Sequence, residues 1–185
     1  MDNGESSYRR FLDGDDEGFD DIVRSYKDGL ILYLDGYVNN IYTAEELAED
    51  TFLRLLTKKP KFSGKSSFKS WLYSIGRNIA VDYIRKKSRM SDIPIEDIDE
   101  YVSDETDLER AYIREEQKIA VHRALALISV DYRQVLWLAF FEGFTNKEIS
   151  VVMKKNEHQI RNLLYRAKQS LKSELEKEGF VYEEF

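Results

Sequence analysis

Apolar side chains recur at three- and four-residue spacing through most of this chain. Phe19, Ile22, Val23 and Tyr26 form one stripe, and Leu30, Ile31, Leu34 and Val38 continue it past Gly29, the spacing of an amphipathic helix. Thr43 has the chemistry of an N-cap for a next helix from Ala44, with Glu45 and Glu46 in the first turn, where the helix dipole favours acids. Leu47, Ala48, Phe52, Leu55 and Leu56 fall on one side of it, and Lys58-Lys59-Pro60 stops it. A loop, Lys61 to Ser67, follows, and Ser66 or Ser67 caps a helix from about Phe68 to Lys87. At about 100° per residue, Phe68, Trp71, Leu72, Ile75, Ile79 and Tyr83 share one face of that helix. Ser70, Arg77, Val81 and Arg85 fall on or near the other.

The second half repeats the helical period. A helix over about 108–128 carries Ile113, Ile119, Ala120, Leu125 and Leu127. The next, about 131–142, is almost wholly apolar; it is too short to span a bilayer, which takes roughly 18–20 residues, and is expected to be the buried centre of a domain. Gly143 suits the position after that helix, and Thr145 caps a short helix over 146–153. A turn leads to a longer helix over 157–177, with Ile160, Leu164, Ala167 and Leu171 inward. No strand-period segment stands out, so the expected fold is all-α. Between the halves, residues 90–109 hold nine acids and no base; such a run self-repels and buries little. The chain therefore divides into an acidic N-terminal tail (1–16), a helical domain (17–88), an acidic flexible linker (89–111), a second helical domain (112–177) and a C-terminal tail (178–185).

Charge sharpens this division. The 185 residues sum to −7, which looks wrong for a nucleic-acid binder. Yet residues 54–89 hold 11 bases against one acid, and residues 145–172 hold seven against two. Two basic blocks set among acidic segments point to a polyanionic partner. The absence of cysteine removes disulfides, thiolate metal sites and cysteine nucleophiles, and the two histidines, 122 and 158, match no metal-ligand spacing. No phosphate-cradling glycine loop or nucleophile elbow occurs. The expectation is a cytoplasmic protein without catalytic residues, metal or cofactor, and without membrane insertion.

Three constellations carry candidate function. Residues 145–171 have the pattern of a helix-turn-helix, and the second helix places His158, Gln159, Arg161, Asn162, Tyr165, Arg166 and Lys168 off its apolar stripe. Arg, Asn and Gln carry donors that pair with base edges in the major groove, whereas Lys and Tyr clamp phosphates; an ordinary solvated face is the alternative. The 58–89 block interleaves aromatics with bases, a mixture that suits single strands. Phe68, Trp71 and Tyr83 belong with the core stripe, whereas Phe62 and Tyr73 lie off it and stay open. Asn78, beside Arg77, is either a base-edge reader or a structural hydrogen-bonder. The third is the acidic and apolar surface of 44–56, suited to a basic protein partner or simply to solvent.

Together these stretches resemble a known family. AEELAEDTFLRLL at 44–56 is similar to the segment of bacterial sigma factors that docks on RNA polymerase, and FSGKSSFKSWLYSIGRNIAVDYIRKK at 62–87 to the segment that melts and reads the downstream promoter element. Residues 119–172 resemble the C-terminal helix-turn-helix domain. Two domains with a short linker are the plan of the extracytoplasmic-function (ECF) group of the sigma-70 family. The resemblance implies polymerase docking through Glu46, Leu47, Glu49, Asp50, Phe52 and Leu53. It implies capture of the opened non-template strand by the Lys61–Ser67 loop (Lys61, Phe62, Lys65, Ser66, Ser67) with Arg77, Asn78, Arg85 and Lys86 beside it. It implies reading of the upstream element in the major groove by Arg161, Asn162, Tyr165 and Arg166, four of the helix-turn-helix residues named above. Glu49-Asp50 stands where the family more often has Gln-Glu, Lys154-Lys155 where Gly and an apolar residue are common, and Leu163 where Arg is frequent.

The expected function is transcription initiation: binding core RNA polymerase, recognising promoter DNA as duplex and as single strand, and promoting opening. An anti-sigma protein is a partner implied by the resemblance alone. The acidic linker is expected to lie along a basic polymerase channel. A stand-alone helix-turn-helix regulator is the alternative, and the 44–56 and 58–89 surfaces separate the two.

Overall fold

The computed structural model describes residues 4–90 and 121–177. The acidic linker, Ile113, Ile119, Ala120 and the 178–185 tail lie outside the described residues. All regular structure among the described residues is helical: α1 Glu5–Leu12, α2 Glu17–Val38, α3 Ile41–Lys58, α4 Phe68–Met90, α5 over 121–127, α6 Val130–Leu136, a π-helical turn Trp137–Phe141, α7 Asn146–Met153 and α8 Glu157–Lys177.

The N-terminal segment differs from the acidic tail expected of it. Tyr8 and Phe11, one turn apart, put both rings of α1 into the core, each 2% exposed. The Tyr8 hydroxyl donates to the Pro60 carbonyl at 2.7 Å, and burial pushes its pKa up to about 12. The Lys59 ammonium stands 4.5 Å from the Phe11 ring centre. These contacts tie the start of the chain to the loop after α3.

The start of α3 is also corrected. Asn40, in an extended conformation, is the N-cap, and its side chain accepts from the Thr43 N–H at 2.9 Å; Thr43 itself lies in the first turn. Asn caps as well as Thr does, and Ile41 gives the earlier start an apolar side chain to pack. The other end behaves as expected, with Lys59 left-handed at φ 41°. At the start of α4 the Ser67 hydroxyl accepts from the Ser70 N–H at 3.3 Å, which makes Ser67 the cap.

The apolar segment after α5 is not buried throughout. Val135, Leu136 and Leu138 are core, but Phe140 is 61% and Phe141 52% exposed. The π-helical turn adds a residue to one helical turn and shifts the side-chain register. Phe141 stacks on Trp137 at 4.3 Å between ring centres, and the Glu142 carboxylate turns inward.

The two helical groups, α1–α4 and α5–α8, share one continuous core. Tyr73, off the expected stripe of α4, is 1% exposed because the second group covers that side. Two glycines of α2 leave room, Gly29 for Tyr73 of α4 and Gly36 for Gln134 of the second group. A Cβ on Gly29 would stand 2.6 Å from the Tyr73 hydroxyl, and one on Gly36 2.6 Å from Gln134 Nε2, both inside van der Waals contact. Gln134 Nε2 lies 3.4 Å from the Tyr33 carbonyl. Arg133 extends this contact: Nη1 donates to the Gly36 carbonyl at 3.3 Å, while Nε and Nη2 hold the carbonyls of Leu125 and Ala126 at 2.7 and 2.6 Å. A cation on carbonyls at a helix C-terminus is favourable electrostatically.

Candidate nucleic-acid interface

The helix-turn-helix is fixed by reciprocal caps. Thr145 Oγ1 accepts from the Glu148 N–H at 3.3 Å, and Glu148 Oε2 accepts from the Thr145 N–H at 2.9 Å, a capping box. Between α7 and α8, Lys154 is left-handed at φ 54°. Leaving that conformation to a non-glycine residue costs about 1 kcal/mol. A second reciprocal pair starts α8: the Gln159 N–H donates to Asn156 Oδ1 at 2.8 Å, and the Asn156 N–H to Gln159 Oε1 at 2.9 Å.

Ile149, Val152, Ile160 and Ala167 bury the inner faces of this pair. The outer face of α8 presents His158, Arg161, Asn162, Tyr165 and Arg166 to solvent. Two expected readers are differently employed. Gln159 spends its carbonyl oxygen on the cap. Lys168 holds its ammonium over the Phe140 ring, 5.0 Å from the centre. Asn162 Nδ2 and His158 Nδ1 lie 3.4 Å apart, so one turn of the helix couples two of the exposed polar groups.

The downstream candidates divide in the same way. Lys61, Lys65, Arg85 and Lys86 are exposed, and Ser66 and Asn78 half-buried. Phe62, open on sequence grounds, is packed, 5.1 Å from Trp71 and 5.7 Å from Phe68 between centres. Arg77 is half-buried against the Tyr37 hydroxyl, where it joins α4 to α2. On α3, Glu46, Glu49, Asp50 and Leu53 are exposed, together with Leu56. Leu47 and Phe52, expected to dock polymerase, are 3% and 6% exposed; the helix period turns them into the core.

Contacts that periodicity did not predict join the two groups. The Glu142 carboxylate, its side chain 8% exposed, accepts from the Tyr73 hydroxyl at 2.9 Å and from Trp137 Nε1 at 3.1 Å, and pairs with Lys69 Nζ at 2.8 Å. Lys69 also donates to the Glu142 carbonyl at 3.2 Å and lies 5.1 Å from the centre of the Phe144 ring. Beside this, the Ser67 hydroxyl donates to Glu148 Oε1 at 2.6 Å. Burial pushes the Glu148 pKa up, but hydrogen bonds from Ser67 and Thr145 outweigh it and the net shift is downward. Burial, with Glu142 alongside, pushes the Tyr73 hydroxyl far above its ordinary value. The partners of Ser67 and Lys69 lie 73 to 81 residues away in sequence, a separation that no local pattern encodes.

Two family descriptions match the chain: Sigma-70 region 2 over residues 22–90 and Sigma-70 region 4 over residues 118–171. The chain belongs to the sigma-70 family, in its ECF group. Among curated relatives, it is 28% identical to RNA polymerase sigma-H factor of Pseudomonas aeruginosa, over 88% of this chain and 89% of that one. It is 25% identical to the ECF RNA polymerase sigma factor SigX of Bacillus subtilis, over 87% and 85%. In fold it is similar to the sigma factor RpoE of Bartonella quintana, solved in complex with the anti-sigma factor NepR, at a TM-score of 0.68 and 23% identity, covering 85% of this chain and 96% of that one.

The ECF assignment places α2 from Ile22 through α4 in the region 2 match, and α5 to Leu171 of α8 in the region 4 match. Helix α1 precedes both. Sigma factors are non-enzymatic initiation factors. Among the described residues no His/Cys/Asp/Glu group could hold a metal ion, and no helix is long and apolar enough to cross a membrane.

Proposed function

We propose that this chain directs core RNA polymerase to promoters through three surfaces. The outer face of α3, with Glu46, Glu49, Asp50 and Leu53, docks polymerase. The Lys61–Ser67 loop and Asn78, with Arg85 and Lys86 along the same helix, hold the opened non-template strand. Arg161, Asn162, Tyr165 and Arg166 on α8 read the upstream element in the major groove, flanked by His158. Melting follows from differential binding, because a loop that holds unpaired bases favours the open state over the duplex. The chemistry of RNA synthesis belongs to polymerase.

The observation that carries this reading is the α3 face. Leu53 (53% exposed) and Leu56 (43%) stand in solvent beside Glu46, Glu49 and Asp50. DNA would be repelled by that face, and a stand-alone helix-turn-helix regulator has no use for it. An anti-sigma protein is the further partner class that the family resemblance supports for this chain.

The test mixes the chain with core polymerase and candidate promoter DNA and measures specific run-off transcripts. Co-migration with polymerase and discrete transcripts are expected, and Asp50→Lys with Leu53→Glu should abolish both while leaving duplex binding by α8 intact. A chain that binds duplex but never co-migrates with polymerase would favour the stand-alone regulator.

A further inference from the structure

The carboxylates that join the two helical groups sit on a set of donors whose chemistry suits a different anion. Ser67 Oγ, Lys69 Nζ and Tyr73 Oη occupy the cap and first turns of α4, beside the Lys61–Ser67 loop. In the closed molecule these groups meet Glu148 at 2.6 Å and Glu142 at 2.8 and 2.9 Å. An ammonium and a phenol on one carboxylate, with a hydroxyl on a second carboxylate along the same segment, present the donors of a phosphate-type surface, because side-chain hydroxyls and lysines are the groups that hold nucleic-acid phosphates. The surroundings fit. Residues 54–89 form the most basic block of the chain, at net +10, yet two acids, Glu142 and Glu148, reach into its α4 end from the second group, beside the Phe144 ring.

We propose that Ser67, Lys69 and Tyr73 form a phosphodiester-binding site for the promoter strand, which Glu142 and Glu148 occupy in the closed molecule as stand-ins for DNA phosphate. Opening of the two groups then exchanges two carboxylates for the strand backbone, and the free chain limits its own DNA binding until it opens. Gly29 and Gly36 are part of the device, since only a bare α2 surface lets Tyr73 and Gln134 come close enough for the occupants to seat. The Trp137 indole, which also donates to Glu142, holds the stand-in carboxylate in place from its own side.

The site's use in initiation rests on the function proposed above, but its existence does not, and the test separates them by leaving polymerase out. The full chain, titrated with a fluorescent single-stranded oligonucleotide, is compared with Glu142→Gln/Glu148→Gln, which removes both charges and keeps a side chain able to cap α7. A second variant, Gly36→Trp, forces the groups apart at α2 and α6 with both acids in place. Opening is followed by energy transfer between dyes on two introduced cysteines, which label cleanly because the chain has none of its own. If the closed form dominates at about nine molecules in ten, either variant should tighten binding about tenfold, the inverse of the competent fraction. Adding Lys69→Ala should cancel the gain and reduce the slope of log affinity against log salt by roughly 1. Three results would overturn the proposal: an opened molecule that binds no tighter, a gain that survives Lys69→Ala, or variants that leave the dye distance unchanged. A chain that behaves as expected here but yields no run-off transcript would sink the initiation reading alone.

Discussion

The outer face of α8 and the first turns of α4 are both expected to meet DNA, and they are built in opposite ways. Arg161, Asn162, Tyr165 and Arg166 stand in solvent. The bonds that position them lie underneath, in the Thr145–Glu148 and Asn156–Gln159 caps. Ser67, Lys69 and Tyr73 are instead bonded directly across the molecule to Glu148 and Glu142. A surface that is free in the resting molecule is tuned by its scaffold, whereas one that is occupied is tuned by its occupant. Substitutions at the two places should therefore differ in kind: stability for one, specificity for the other.

The largest stability effect is expected at Glu142. Its side chain is 8% exposed, so Glu142→Ala leaves the Tyr73 and Trp137 donors and the Lys69 ammonium without their acceptor in a site that water reaches poorly. The cost should be about 3 kcal/mol of unfolding free energy, read as a lower urea midpoint. A midpoint unchanged from the parent would mean that this network does not hold the groups together. On α8 the pattern inverts. Arg161→Ala should change stability by less than about 0.5 kcal/mol but cost about 1–3 kcal/mol of upstream-element affinity. Fluorescence anisotropy with cognate and scrambled duplexes checks this, because a base reader loses the difference between them whereas a phosphate clamp weakens both alike.

The same contrast explains what the sequence made legible. Helices α7 and α8 fall at the residues that periodicity and caps predict, because the Thr145 cap and the inward Ile160 and Ala167 are local signals. The α4 stripe was equally readable at Phe68 and Leu72. Tyr73 and Glu142 were not, since their burial depends on a partner group some 70 residues away. Helix α1 was hidden by composition: eight acids in residues 1–21 suggested a tail, although the Tyr8–Phe11 spacing was there to be read. On α3 the stripe of Leu47, Ala48, Phe52 and Leu55 is buried as its period predicts, whereas Leu56, on the same expected side, is 43% exposed; docking by Leu47 and Phe52 is an implication of the resemblance and not of the period.

Smaller effects test the scaffold beneath α8. Thr145→Ala removes one half of the α7 capping box and should cost about 1 kcal/mol, seen as a lower melting temperature with the affinity ratio between duplexes preserved. Lys154→Gly releases a left-handed non-glycine residue and should gain up to about 1 kcal/mol. If that variant is instead destabilised, the Lys154 side chain contributes more than its backbone conformation costs.

The smallest expected effect is a pH dependence, and it falls at the one residue shared by both regions. Glu148 closes the α7 capping box and also accepts from Ser67 of the α4 cap. Its pKa lies below the ordinary value of 4.5 because the Ser67 and Thr145 hydrogen bonds outweigh the opposing effect of burial. A carboxylate depressed in the folded state binds fewer protons there than in the unfolded chain, so its contribution is complete above about pH 4.5 and is lost as pH falls through the folded value. Thermal melts between pH 6 and pH 3 should therefore show an acid-side loss of stability that Glu148→Gln makes shallower, since the amide accepts similar bonds but does not titrate. Ser67→Ala should flatten the same limb only in part, because the Thr145 bonds remain. If Ser67→Ala has no effect on the limb while Thr145→Ala removes it, Glu148 serves the α7 cap alone and its contact with α4 contributes nothing measurable to holding the groups together.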